Sequence, residues 1–181
     1  MSFLDLIRRR ESVRSYADRT VERDKIELCL EAARLAPSTS NSQPWKFIVV
    51  DEPALKSKVA EETVAPFRAF NTFTNQAPVL IAVLVDRANL EAGTGKAVRR
   101  FNFSLIDIGI ATEHLCLQAA ELGLGTCILG WFDEKAMKRL LHVPRSRRIY
   151  LMITLGYPQD NRLRPKRRKE LDRIRCYNRY E

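Results

Sequence analysis

The sequence predicts an α+β fold, and three observations carry that expectation. Apolar residues switch repeatedly between helical spacing and short strand-like runs, without the regular strand–helix–strand alternation of a doubly wound sheet. Val79–Val85 is apolar at every position, as expected of a strand covered on both faces. Phe101–Leu122 is a helical stretch whose apolar residues surround much of its circumference, which places it in a core or between subunits. At 181 residues the chain has the length of one domain, read as residues 1–181.

Each element follows from local signals. Ser2 reads as an N-cap ahead of Phe3, Leu4 and Ile7, with Asp5 near the positive end of the helix dipole. A second helix is expected from about Glu22 to Ala36, with Ile26, Cys29, Leu30 and Ala33 in one buried stripe and Pro37 as its stop. The polar loop Ser38–Pro44 leads into a β-branched strand at Lys46–Val50, and Pro53 opens a helix to about Glu62. Val64–Gln76 is ambiguous, with helical character around Arg68–Phe73, and Asp86–Gly95 has loop character. Gly123 has the position of a C′ residue after the long helix. A strand at Thr126–Leu129, a helix at about Asp133–Leu141 and a core strand at Ile149–Leu155 complete the order.

Composition narrows the classes. With 45% hydrophobic and 29% charged residues and only 7 Gly and 8 Pro, a fibrous, low-complexity or disordered chain is excluded. Apolar runs fall well short of the ~20 residues that span a bilayer, and no secretory signal pattern opens the chain, so the expected location is cytoplasmic. The net charge of +9 favours anionic partners, and much of it is concentrated in Arg162–Arg179. Cys29, Cys116, Cys127 and Cys176 are widely spaced and form no Cys-x-x-Cys pair, and His114 and His142 lie at no metal-ligand spacing from them.

Neither a dinucleotide glycine fingerprint, a phosphate-binding P-loop nor a nucleophile elbow is present. Asp107 and His114 share a helix face and read as a structural contact rather than a catalytic dyad. Three segments together fit a phosphorylated cofactor with a sugar-like chain and a heterocycle. Arg10–Arg14 combines guanidinium groups with the Ser12 hydroxyl, suited to a dianionic phosphate. Ser38–Gln43 offers neutral hydrogen-bonding groups at a helix–strand junction. Lys166-Arg167-Arg168 supplies a second cationic cluster after the last strand.

These residues resemble the nitroreductase family of flavoproteins. The opening Arg10-Glu11-Ser12-Val13-Arg14-Ser15-Tyr16 is similar to that family's Arg-x-Ser-x-Arg/Lys-x-aromatic motif, and Pro37–Trp45 to its Pro-Ser-x-x-Asn-x-Gln-Pro-Trp segment. Asp107–Ala111 through Glu121–Cys127 resembles its central helix and glycine turn, and Leu155–Pro158 with Lys166–Arg168 its closing strand and basic motif. The matches keep the family's order and span about residues 2–175.

The resemblance implies a nitroreductase-like fold: a central, mostly antiparallel sheet flanked by helices, dimerising through a long buried helix with FMN at the subunit interface. It places Arg10 and Ser12 by the FMN phosphate and ribityl chain, Arg14 at the N1/O2 edge of the ring, and Lys166 and Arg168 on the phosphate. Ser38, Thr39, Asn41 and Gln43 reach the cofactor, partly from the second subunit. Leu129 and Gly130 fall where a backbone N–H faces flavin N5, and Asn71 aligns loosely with a flavin-contacting Asn. No side chain is assigned a catalytic role, since the cofactor carries the chemistry. The implied activity is ping-pong transfer from NAD(P)H through FMN to a nitroaromatic, quinone or similar small acceptor, without a membrane or nucleic-acid partner. One departure is Glu11, a carboxylate where the family usually has Arg or His. Two alternatives remain: a basic nucleic-acid-binding protein on a redox-inactive core, and a specialised flavoenzyme of the same fold, such as a dehydrogenase, dehalogenase or flavin-fragmenting enzyme.

Overall fold

The computed structural model describes residues 1–64, 70–86, 103–160 and 162–180. In chain order the elements are α1 (Phe3–Arg9), α2 (Arg23–Arg34), β1 (Trp45–Val50), α3 (Pro53–Glu61), β2 (Val79–Val85), α4 (Phe103–Glu121), β3 (Gly125–Leu129), α5 (Glu134–Leu140) and β4 (Ile149–Gly156). Short 3-10 turns occur at Thr39–Asn41, Thr72–Gln76 and Leu171–Arg173. Among the described residues, no helix is long and apolar enough to cross a membrane.

The four strands form one sheet in the order β1-β2-β4-β3, and every neighbouring pair is antiparallel. Strand β2 is buried throughout, as its unbroken apolar run predicts. Its side chains alternate between two cores. Val79, Ile81, Val83 and Val85 join Ile26, Cys29 and Ala33 of α2 and Ile108, Ala111 and Leu115 of α4. Leu80, Ala82 and Leu84 join Val59 and Ala60 of α3 and Met137 of α5 on the other face. The sheet therefore lies between two helical layers, which is the expected α+β architecture.

Several local expectations hold. Ser2 caps α1 in a reciprocal box with Asp5. Gly123 takes φ +76°, and Leu124 N donates back to Ala119 O at 2.8 Å, so the left-handed turn that ends α4 uses its glycine. Helix α2 starts after Glu22, which is its N-cap, and ends at Arg34 rather than Ala36. The ambiguous Val64–Gln76 stretch contains the Thr72–Gln76 turn, while the rest of the helical reading falls largely on residues 65–69, outside the described ones. The loop reading for Asp86–Gly95 and the start of the Phe101 helix also lie largely outside them. Within one chain α4 is buried on one face only. Phe103, Leu105 and Ile106 are exposed, because α2 and the sheet cover just one side of the helix.

The segment after α1 lies along the free edge of β3. Ser12 bridges Thr126 in parallel, and Val13 N donates to Thr126 O at 2.8 Å. Further on, Ala17 N donates to Tyr157 O and Gln159 N to Ser15 O, so the segment also closes against the end of β4. Two glycines permit this approach. A Cβ on Gly125 would stand 2.5 Å from Val13 Cγ2, and one on Gly156 would stand 2.9 Å from Tyr16 Cδ1.

Tyr157 fastens α2 to the same corner. Its hydroxyl donates to Glu22 Oε2 at 2.6 Å and accepts from Lys25 Nζ at 2.6 Å, with the Arg19 guanidinium 3.8 Å above the ring. The Tyr157 hydrogen bond, reinforced by Arg19 and Lys25, lowers the Glu22 pKa to about 2. A depressed carboxyl pKa stabilises the fold above the unfolded value of about 4.3, and that contribution disappears as pH falls towards 2. Carboxyl NMR titration should place the Glu22 midpoint near 2 in the native chain and move it upward in Tyr157→Phe. An unchanged midpoint would remove Tyr157 as the main cause.

Candidate functional site

The twelve residues expected from the sequence form three groups. The first is the cationic group around Ser12. Lys166 Nζ donates to Arg10 O at 2.5 Å, which brings the segment after β4 onto the Arg10–Arg14 segment. Lys166 is half-buried and its pKa is lowered, first by desolvation and then by Arg10, with Arg168 and Arg164 adding to the effect. A bound anion would relieve the repulsion among cations held together in this way. Arg10 supplies a second sign. Its buried Nε is 3.3 Å from Glu113 Oε1 but has no hydrogen-bond partner among the described residues. Arg14 is exposed, with Nη1 3.5 Å from Ser12 O, the outer limit of a hydrogen bond. A terminal phosphate fits this donor set.

Glu11, the departure from the family pattern, is directed at Arg164. Its Oε2 accepts from Arg164 Nε at 3.2 Å and from Arg164 N at 3.3 Å, so its charge is compensated within the protein. A cavity of about 230 Å³ opens beside Arg10, bounded by Cys116, the Gly123–Thr126 turn, Pro158 and Asp160. That is less than the roughly 300–1,000 Å³ of a whole ligand pocket.

The second group lies at the far end of β3. Leu129 closes the strand, Gly130 is exposed, and Asn71 Nδ2 donates to Thr63 O at 3.1 Å and to Trp131 O at 3.4 Å. Asn71 therefore does stand beside the Gly130 turn, held there by a left-handed backbone with φ 62°. The Ser12 bridge sets this segment beside Thr126, and the Arg14 guanidinium lies close enough to Cys127 of β3 to oppose the burial-driven rise of its thiol pKa. The first and second groups line up on one sheet edge.

The third group is the Ser38–Gln43 loop. Ser40, Asn41 and Gln43 all have positive φ (53°, 53° and 44°), an unusual concentration of strain for residues with side chains. The loop is braced from within and from α4. Gln43 N donates to Ser38 Oγ at 2.9 Å, Gln43 Nε2 to Asn41 Oδ1 at 3.0 Å, and Thr39 N and Oγ1 donate to Asp107 Oδ1 at 3.1 and 3.2 Å. Asp107 thus serves this loop, while His114 Nδ1 meets Ala32 O at 3.3 Å, so the two bind different structural partners. The loop runs into β1, at the opposite sheet edge from Ser12. Three inter-strand steps separate those edges, about 14 Å.

Three contacts around these groups were not anticipated from the sequence. The Asp107 brace had a signal, a carboxylate on a buried helix face opposite a polar loop. Arg164 had a weaker one, since Glu11 required a counter-charge. The Tyr16–Thr154 bond, Oη to Oγ1 at 2.5 Å, joins residues 138 positions apart and had none.

Fold and site together describe an α+β protein with a cluster of cations on one edge of its antiparallel sheet. The chain belongs to the nitroreductase family: that family's model matches residues 7–157. It is similar to an Archaeoglobus fulgidus protein named "Putative NADH dehydrogenase/NAD(P)H nitroreductase", 34% identical over 88% of this chain and 87% of that one. The structure of an FMN-dependent nitroreductase from Clostridium difficile R20291 superposes with a TM-score of 0.78, at 26% identity, covering 98% of this chain and all of the other. Drosophila melanogaster iodotyrosine deiodinase is 28% identical over 86% of this chain, which spans 62% of that longer protein.

Proposed function

We propose that the protein is a homodimeric FMN-dependent oxidoreductase that takes electrons from NAD(P)H and passes them to a small acceptor such as a nitroaromatic or quinone. The observation that carries this reading is that Lys166, Arg168, Arg10, Ser12 and Arg14 gather in a strip beside edge strand β3, whose far end is Leu129 and Gly130. The cations and Ser12 would hold the phosphate and ribityl chain. Arg14 would stabilise negative charge at the ring edge, and the backbone around Gly130, with Asn71 beside it, would bound the reacting end. Bound FMN would supply the hydride and electron transfer itself.

The dimer follows from what one chain leaves incomplete. The braced loop with Ser38, Thr39, Asn41 and Gln43 stands at the wrong sheet edge to complete its own chain's strip, so a second copy would supply it. Exposed apolar faces agree: Phe103, Leu105 and Ile106 on α4, and Phe3, Leu4 and Ile7 on α1. Leu163, Leu171 and Ile174 project from the exposed segment after β4.

Purified protein should be yellow, release FMN rather than FAD on denaturation, bleach with NAD(P)H, and sediment as a dimer while flavin-loaded. A chain that stays colourless after FMN addition, or a flavin-loaded monomer at micromolar concentration, would overturn the corresponding half of the proposal. The deiodinase relative favours a second reading, reductive dehalogenation on the same cofactor. Turnover of a halophenol in preference to a nitroaromatic would select it.

A further inference from the structure

Glu11 is the one acidic residue in the stretch Arg8–Arg14, and its carboxylate is largely buried, with 18% of the side chain exposed. Within residues 162–170 there is no helix or strand, and nearly every residue is exposed. Among the described residues, apart from the local bonds of Arg162 to Asp160 two positions earlier, the hydrogen bonds that tie this stretch to the body of the protein come from Arg164 and Lys166. Arg164 N and Nε donate to Glu11 Oε2, Arg164 Nη2 donates to Ser12 O, and Lys166 Nζ donates to Arg10 O. Three of those four bonds belong to the Glu11–Ser12 pair.

We infer that Glu11 and Arg164 form a latch that holds the Arg162–Arg168 segment closed on the Arg10–Ser12 segment, keeping Lys166 and Arg168 in place to grip the cofactor phosphate. Both are positioning residues, and the inference rests on the FMN-binding reading above. The geometry accounts for an acid so near an anion site. Arg164 neutralises the carboxylate, while Arg10, Lys166 and Arg168 keep the surplus positive charge. Both contacts of Arg164 with Glu11 meet one carboxylate oxygen, and one of them uses the backbone, so the latch fixes the course of the chain as well as the charge.

The sign of one substitution separates this from a simple field effect. Were Glu11 only a nearby negative charge, Glu11→Gln would slow FMN release by removing repulsion. As a latch, the same change weakens a charge-assisted pair and frees the segment. Release followed by recovery of flavin fluorescence should be about tenfold faster in Glu11→Gln and in Arg164→Met. The apoprotein unfolding temperature should hardly move, as expected for a pair whose Arg164 side is 55% exposed and which ties down an otherwise exposed segment. Exchanging the charges, in Glu11→Arg with Arg164→Glu, should recover part of the loss. Slower or unchanged release in Glu11→Gln overturns the latch. Limited trypsin digestion gives a readout independent of cofactor: cleavage after Arg162 and Lys166 should quicken in Glu11→Gln. If the native chain takes up no FMN, the binding reading fails by itself; the latch then stands on faster cleavage in that variant and falls on equal cleavage.

Discussion

Replacing Lys166 and replacing Arg14 should produce two different defects, although both remove one cation from the same strip. Lys166→Ala is expected to weaken FMN binding by ~10–100-fold, equivalent to about 1.4–2.8 kcal/mol for a charge-assisted bond to phosphate. The charge of a phosphate does not depend on the redox state of the ring, so oxidised and reduced forms should lose affinity alike. Lys166 is half-buried, and desolvation followed by Arg10, Arg168 and Arg164 lowers its pKa, so a bound anion would relieve strain on the charged form already present in the fold. Arg14 is exposed and acts on Cys127 of β3, on the side of the strip where the ring would lie. Reduction adds negative charge to the ring edge, and a cation there favours the reduced form. Arg14→Ala should therefore lower the midpoint potential, by about 30 mV for each 1.4 kcal/mol of differential stabilisation in a two-electron couple. Fluorescence titration and a potentiometric titration of both variants decide the matter. A Lys166→Ala potential shifted as far as that of Arg14→Ala would mean that the roles along the strip are misassigned.

How far the sequence reveals this arrangement depends on the range of each interaction. The all-apolar run of β2, the capping of α1 by Ser2 and the glycine end of α4 rest on neighbours within a few positions, and each is visible in the order of residues. The cationic pair of segments is visible as composition, because Arg10–Arg14 and Lys166–Arg168 are dense in charge. Their contact is less visible: Lys166 meets a backbone carbonyl 156 positions away, and a carbonyl has no residue-type signature. Asp107 shows the opposite failure. Its place on the buried helix face was legible, but His114, two turns along that face, drew the pairing, whereas the actual partner is a loop 68 positions earlier. The one-sided burial of α4 was hidden because composition cannot distinguish a core helix from one awaiting a second surface.

Tyr16→Phe should lower stability by ~1–3 kcal/mol and loosen the site at the same time, although it removes a single oxygen. The ring is 4% exposed, and its hydroxyl links three strands of backbone. It donates to Val13 O at 3.0 Å and meets Thr154 Oγ1 at 2.5 Å, while Thr154 Oγ1 accepts from Cys127 N at 3.1 Å. Burial raises the phenol pKa well above its ordinary value, so Tyr16 stays protonated and remains a donor throughout the working pH range. With Phe at this position, Val13 O loses a buried partner and Thr154, fully buried in β4, loses another. Val13 stands between Ser12 and Arg14, so the strain appears in the segment that carries both expected cofactor contacts. Thr154→Val should cost a similar amount by exposing the same network from β4. Because the two side chains share one bond, the double variant should lose less than the two single losses combined, by ~0.5–3 kcal/mol. Urea unfolding of the four proteins in the cycle measures that coupling, and FMN titration of the same set reports the site. Additive losses would mean that Tyr16 holds the segment by packing against Gly156 rather than through its hydroxyl. A loss of stability without any loss of FMN affinity would confine the network to the core and detach it from the strip.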